Sequence, residues 1–407
     1  MKRIVKALGR FGGWKRAGSV VALCVATAMA LPAQTLTTLV NFGYYPAGST
    51  PVAPMVQGSD GYLYGTAYAG GNGGGTVFKM TPAGALTTLY RFCSAGSPCS
   101  DGTRPGALAL AASGEFYGTT EFGGGSGNGG TVFKITADGT LTTLYSFCSQ
   151  SGCPDGEQPK AALVQAAHGD FYGTTWGGGS ANSGTVFRIT ESGRLTTLYN
   201  FCSRSKCSDG KNPAGLVLAA DGNLYGTTAD GAPTSGGTIF RITAGGALTT
   251  LYSFCGNGCM DGQGPNWLVQ AADGDLYGTS VGGGAGDGTV FRITLGGTLT
   301  TLHSFCTQNG CKDGEGPNGI VQAADGNFYG TTYVGGTDKS YGTIFKITPS
   351  GTLTTLHVFH GGDGAEPAAG LVQATNGEFY GTTEFGGTSS VCKLAVTCGT
   401  VFSLTVP

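Results

Sequence analysis

The tripeptide Tyr-Gly-Thr recurs in register seven times, beginning at Tyr64, Tyr117, Tyr172, Tyr225, Tyr277, Tyr329 and Tyr380, with successive copies 51 to 55 residues apart. Leu-Thr-Thr-Leu also occurs seven times, from Leu36, Leu86, Leu141, Leu195, Leu248, Leu299 and Leu353. Repetition at this period confines a chain to solenoids, propellers or related arrays. Each unit is one supersecondary element that cannot bury its apolar face alone.

One unit reads as four strands. In the fifth, residues 268–272 form a short apolar strand A, Asp273-Gly274 a turn, and residues 275–279 strand B. Strand C follows at residues 288–294 and strand D at residues 298–305. β-branched and aromatic residues dominate, and no segment has a helical period. Asp-Gly between apolar runs signals a hairpin, because both residues tolerate positive φ. Four antiparallel strands per repeat make a propeller blade.

The phase of the repeats points to a closed ring. A lone strand D at residues 35–42 precedes the first full unit, and the last unit stops at strand C, residues 399–405. The N-terminal strand is expected to complete the last blade, which removes an exposed edge; an open solenoid would need capping repeats. The expected fold is all-β: one seven-bladed β-propeller of four-stranded blades over residues 31–407. Its B–C and D–A connections share a face that carries the glycine-rich loops and every close cysteine pair. Loops on a rigid scaffold are where function concentrates, so this face is the expected functional surface.

Residues 1–30 differ from the rest. Lys2, Arg3, Lys6, Arg10, Lys15 and Arg16 occur without any acid, an apolar stretch follows from Val20 to Leu31, and Ala28 and Ala30 fit an A-x-A cleavage site. This is the pattern of a secretory signal peptide, with an apolar stretch too short to span a membrane. Without it, 16 basic residues face 24 acidic ones. That balance disfavours nucleic acid and anionic membrane surfaces as partners. The mature protein is expected in the extracellular space or periplasm, as a monomer that is not inserted in a membrane.

Twelve cysteines follow the leader, as six close pairs: Cys93–Cys99, Cys148–Cys153, Cys202–Cys207, Cys255–Cys259, Cys306–Cys311 and Cys392–Cys398. In an exported chain such pairs read as disulfides. Zinc would need two pairs from units about 50 residues apart to converge.

The stretches IVQAADGNFYGTTYVGG (residues 320–336) and GTIFKITPSGTLTTLHVF (residues 342–359) resemble the GloVer tandem repeat of Gloeobacter, Verrucomicrobia and Acidobacteria. The likeness covers residues 35–407. It implies a bacterial exported repeat protein, but no particular activity, so no catalytic residues are carried over. Many members of that family add a C-terminal sorting or anchor segment; with Pro407 directly after strand C, no such segment is expected here.

Two sets of residues mark the loop face. Asp-Gly-x-x-Pro recurs in the D–A loops at Asp101, Asp155, Asp209, Asp261, Asp313 and Asp363. A ring of carboxylates suits Ca²⁺ or a polar ligand. Equally, each Asp can cap loop N–H groups in an Asx-type turn. One Asp per blade supplies no converging ligand set, so neither a metal nor a cofactor is expected. Tyr68, Phe122, Trp176, Tyr333 and Phe385 begin B–C loops, as sugar-stacking platforms or as packing between blades. The cations of strand C, from Lys79 to Lys346, read as partners for nearby acids. Glu121, Glu157, Glu315 and Glu384 are the candidates for a glycosidase pair, whose separation a sequence does not give. No Ser-His-Asp or Cys-His set can be assembled.

The leading expectation is an exported, non-enzymatic binding module for a glycan or a protein, because near-equivalent units favour binding over catalysis. A polysaccharide hydrolase or lyase and a structural envelope protein are the alternatives.

Overall fold

The computed structural model describes residues 34–43, 47–94, 96, 98–231, 234–336, 341–388 and 398–406. The leader and Cys392 lie outside them. The described residues form seven four-stranded antiparallel sheets, each the blade of a propeller. Blade seven takes strands A, B and C from Val372–Gln373, Phe379–Thr383 and Thr400–Thr405, and strand D from Thr35–Asn41. Thr35 lies opposite Thr405, Leu36 opposite Leu404 and Asn41 opposite Thr400. The two ends of the chain therefore meet inside one sheet.

Blade five shows the common pattern, with strands Gln263–Gln270, Leu276–Gly282, Thr289–Ile293 and Leu299–Ser304. Strand A begins earlier than the sequence suggests and stops before Ala271. The Ala271 carbonyl accepts the Gly274 N–H at 2.9 Å, and its own N–H donates to the Asp275 carbonyl at 2.9 Å. The connection is a four-residue turn with Gly274 at φ 88°. A turn followed by a left-handed residue matches the twist of the strands better than a bare two-residue loop of ordinary hand.

The Tyr-Gly-Thr motif explains the blade packing. It lies on strand B, which is buried along its length in blade one as in blade three. The glycine leaves space for the phenylalanine of strand C: a Cβ on Gly118 would stand 2.5 Å from the ring of Phe133. The tyrosine stacks on the next blade, as Tyr64 on Phe116 and Tyr117 on Phe171, both with centroids 4.0 Å apart. The threonine hydroxyl donates across the same gap, from Thr66 to the Gly106 carbonyl at 2.9 Å and from Thr174 to the Ala214 carbonyl at 2.8 Å. The apolar core is accordingly divided into seven clusters, each shared by neighbouring blades; one joins Tyr380 and Val401 of blade seven to Met55, Leu63 and Phe78 of blade one. One short motif thus serves both strand pairing and ring assembly.

Strand A, the innermost, is not uniform. Blades one, three and seven carry one extra residue between the proline and the Val-Gln pair (Pro51 to Gln57, Pro159 to Gln165, Pro367 to Gln373). In those blades strand A shrinks to two residues, Val56–Gln57, Val164–Gln165 and Val372–Gln373. Isolated bridges at Ser49–Ala69, Glu157–Gly177 and Ala365–Phe385 replace the missing ladder. An inserted residue shifts the two-residue side-chain period, so the channel wall changes character there.

Five disulfides form in the D–A loops: Cys93–Cys99, Cys148–Cys153, Cys202–Cys207, Cys255–Cys259 and Cys306–Cys311. The sixth expected pair, Cys392–Cys398, involves a residue outside those described. No helix among the described residues is long and apolar enough to cross a membrane.

Candidate functional site

Two positions per blade surround the channel mouth on the B–C/D–A face. The first follows Tyr-Gly-Thr-x at the end of strand B. Around the ring it holds Tyr68, Glu121, Trp176, Ala229, Val281, Tyr333 and Glu384. The second precedes the proline that opens strand A: Thr50, Arg104, Gln158, Asn212, Gly264, Gly316 and Glu366. Every residue of the second set has φ between 54° and 62°. That left-handed geometry suits glycine and costs about 1 kcal/mol or more with a side chain. Five blades nonetheless keep a side chain there. Blades four and five present only small or apolar groups at the first position, so the mouth is lopsided.

The polar side bounds a cavity of about 580 Å³, lined among others by Tyr68, Arg104, Glu121, Lys160, Glu384 and Phe385. Glu121 is 7% exposed and is held from three sides. Lys160 Nζ stands 3.0 Å from Oε1, Arg104 Nη1 stands 3.9 Å from Oε2, and the Tyr68 hydroxyl donates to Oε2. Burial, then the Glu121 carboxylate, pushes the Tyr68 hydroxyl up to about 12. The Arg104 guanidinium donates to Tyr68 Oη at 3.1 Å and lies over the rings of Tyr68 and Phe122, 5.1 and 5.0 Å from their centroids. Lys160 Nζ sits 4.8 Å from the centroid of the Trp176 ring. Such cation–ring contacts hold both partners in place.

A second carboxylate faces the same cavity in a different environment. The Tyr333 hydroxyl donates to Glu384 Oε2 at 3.0 Å. Burial, opposed by that hydrogen bond and assisted by the charge of Glu366, raises the Glu384 carboxyl above its ordinary range. Burial and the two glutamates hold the Tyr333 hydroxyl firmly protonated. One glutamate is thus fixed by cations while the other favours its proton. A carboxyl that favours its proton, lining the same cavity as an ion-paired one, is an arrangement that acid–base chemistry can use.

Of the five aromatic candidates, Tyr68, Trp176 and Tyr333 share one register. Phe122 and Phe385 fall one residue later, on strands where neighbouring side chains point to opposite faces. Glu121 and Glu384 occupy the shared register in those two blades. Both are among the four glutamate candidates for a glycosidase pair, and counting four residues from each tyrosine of Tyr-Gly-Thr places them in the ring with the aromatics. Phe122 presents its ring to Arg104, and Phe385 lines the cavity from the adjacent position.

The six aspartates are engaged within their own loops. Asp101, Asp155, Asp209 and Asp261 accept the hydroxyls of Tyr90, Tyr145, Tyr199 and Tyr252 at 2.8 to 3.0 Å. Asp313 and Asp363 take His303 and His357 Nε2 at 2.9 and 2.8 Å. Each also accepts a loop N–H, such as Cys255 to Asp261 at 3.1 Å. His357, His360 and Asp363 come together closely enough to hold an ion. The same His–Asp contact in blade five lacks a third member, so the contact itself belongs to the loop. Four strand C cations meet acids of the A–B turns, as Lys134 with Glu115 at 3.2 Å and Lys346 with Asp325 at 2.9 Å, whereas Lys79 donates to the Ala137 carbonyl at 3.0 Å and lies 5.3 Å from the centroid of the Tyr62 ring. A larger concavity of about 890 Å³ at the outer rim is lined by the exposed Thr307, Gln308, Asn309 and Lys312, away from both mouth glutamates.

Similar folds occur in two chains of B. thetaiotaomicron. One is the extracellular domain of a protein assigned as a hybrid two component system, at 10% identity and TM-score 0.58, covering 88% of this chain and 40% of that one. The other is the extracellular domain of a protein assigned as a one component system, at 11% identity and TM-score 0.57, covering 91% and 40%. This chain therefore spans well under half the length of either. Comparison with curated proteins finds no match. The Gloeobacter/Verrucomicrobia repeat matches residues 2–213 and 203–402, and on that match, carried through all seven blades, the chain belongs to the Gloeobacter/Verrucomicrobia repeat family.

Proposed function

We propose that this propeller is an exported binding module that holds a saccharide at the channel mouth of its B–C/D–A face. The supporting observation is where the blades differ. Strand B repeats the same buried Tyr-Gly-Thr in every blade, yet the position four residues after its tyrosine reads Tyr68, Glu121, Trp176, Ala229, Val281, Tyr333 and Glu384. A scaffold that keeps strand B constant yet varies the residue at its end has individualised that rim. Aromatic faces beside fixed hydrogen-bonding groups match the apolar faces and hydroxyls of sugars, and the cavity has the size of a small-ligand site. Five disulfides are in keeping with export.

Calorimetric titration of the mature protein with a panel of soluble oligosaccharides tests this. At least one should bind, and Tyr333→Ala or Arg104→Ala should weaken it about tenfold or more. A panel without binding removes the proposal.

A second reading, a carbohydrate hydrolase, is favoured by the contrast between Glu384 and Glu121. It requires reducing ends to appear on incubation with a bound oligosaccharide, and Glu384→Gln to abolish their release while binding persists.

A further inference from the structure

Beyond the mouth, the channel holds a second cavity of about 440 Å³. Lys160 lines both, so the two compartments adjoin at that residue. The second cavity is walled by Trp176 and Trp267, with Ala161, Ala162, Leu216 and Leu268 between them. A third, apolar cavity of about 360 Å³ lies further along the inner strands and again touches Trp267. The Trp267 side chain therefore stands between the middle and the lower compartments.

The placement of Trp267 is unusual within the repeat. Its position on the inner strand holds Gly215 in blade four and Gly319 in blade six. A Cβ on Gly319 would lie 3.0 Å from the indole, so the ring rests directly on backbone. Neither indole is fully buried. Trp176 is steadied by the Lys160 ammonium, 4.8 Å from its ring centroid. Two partly exposed indoles thus border one small apolar compartment that opens toward a polar mouth.

We infer that this compartment takes one planar apolar ring, and that the ligand is a saccharide carrying an aromatic substituent. The sugar occupies the mouth and the aromatic ring enters between Trp176 and Trp267. Offset or edge contacts with two indoles favour a flat ring over an aliphatic chain. The inference rests on the mouth being the saccharide site and deepens that reading.

Composition supplies the probe. The sequence has three tryptophans, and one of them, Trp14, belongs to the leader. Tryptophan emission of the mature protein therefore comes from Trp176 and Trp267, and the Trp267 variants below separate the compartment from the mouth. The experiment titrates the protein with paired phenyl and methyl glycosides of glucose, galactose, mannose and xylose, and separately with benzyl alcohol. The expected result is a saturable emission change with phenyl glycosides, at affinity roughly tenfold or more above the methyl partners. Trp267→Ala should erase that advantage and leave methyl glycoside binding unchanged, whereas Trp267→Phe should keep most of it. Equal binding of phenyl and methyl glycosides overturns the inference and leaves the saccharide reading standing. A response to benzyl alcohol with no glycoside binding supports the aromatic compartment and removes the saccharide. Silence toward every probe removes both.

Discussion

The amide of Thr375 donates to Oε1 of Gln57 at 2.8 Å, although 318 positions separate the two residues. It is one link of a repeated clamp. Ala324 N–H reaches Gln373 and Ala272 N–H reaches Gln322 in the same manner, at 2.9 and 2.8 Å. Blade seven therefore grips blade one with the same bond that joins blades two to three, four to five, five to six and six to seven; blades two and four carry Leu110 and Leu218 at the glutamine position.

Removal of residues 35–42 should be far more damaging than loss of an ordinary terminus. It exposes Thr400–Thr405 as an edge and withdraws Phe42, which is 0% exposed. A lost ladder with a vacated aromatic site costs about 5 kcal/mol or more. Thermal unfolding should show a melting temperature roughly 6 °C lower or more. A truncated protein that melts with the parent would remove the closure argument.

Blade three contains a defect that a single substitution should mend. In blades one, four, five and six the tyrosine of Tyr-Gly-Thr donates to an aspartate four residues earlier, as Tyr225 to Asp221 at 2.8 Å. His168 takes that place in blade three, and the buried Tyr172 hydroxyl has no partner there. His168→Asp should stabilise the protein by about 1 kcal/mol. Blade five already tolerates the resulting pair of acids, with Asp273 on Tyr277 and Asp275 on Arg292. Urea unfolding midpoints of the two proteins check this.

Glu384 gives a pH signature. Its carboxyl is raised by burial first and by Glu366, against the Tyr333 hydrogen bond. A carboxyl with a folded pKa above its unfolded value, near about 4.3, favours the fold only at low pH. That contribution is fully present below the unfolded pKa and is lost as pH rises through the folded value, where the buried carboxylate becomes a cost. Glu384→Gln should therefore raise the melting temperature at pH 7, by about 1–2 °C, and leave it unchanged at pH 4. Scanning calorimetry at the two pH values makes the comparison.

Reduction of the disulfides should leave the sheets intact. The bridges close loops with sequence separations of 4 to 6 residues. Each contributes at most about 2 kcal/mol in the chain-entropy picture. Far-UV circular dichroism should persist after reduction while limited proteolysis at the D–A loops accelerates. Collapse of the β signal would show that the bridges hold the blades themselves.

The architecture was legible in the sequence because it depends on period and phase. Seven copies of Tyr-Gly-Thr, a lone leading strand D and a final strand C leave one closed arrangement. The mouth was only partly legible. Tyr68, Trp176 and Tyr333 stand out as aromatics, and Glu121 and Glu384 as acids, but their common place in the ring shows only when the blades are aligned on Tyr-Gly-Thr. Trp267 escaped notice because strand A was expected to start at Leu268, one residue too late to include it. The engagement of Asp101 and its equivalents follows from a tyrosine or histidine about ten residues earlier on strand D, a contact that only the turn of the loop brings about.

The mouth cavity draws Thr50 and Tyr68 from blade one and Glu384 and Phe385 from blade seven. Its two walls are thus contributed by opposite extremes of the polypeptide. A growing or nicked chain that has made six blades still lacks this cavity, so on the proposed reading recognition waits on completion of the ring. By mass action, whatever settles there also fastens the circle shut, and resistance to opening should climb with its concentration.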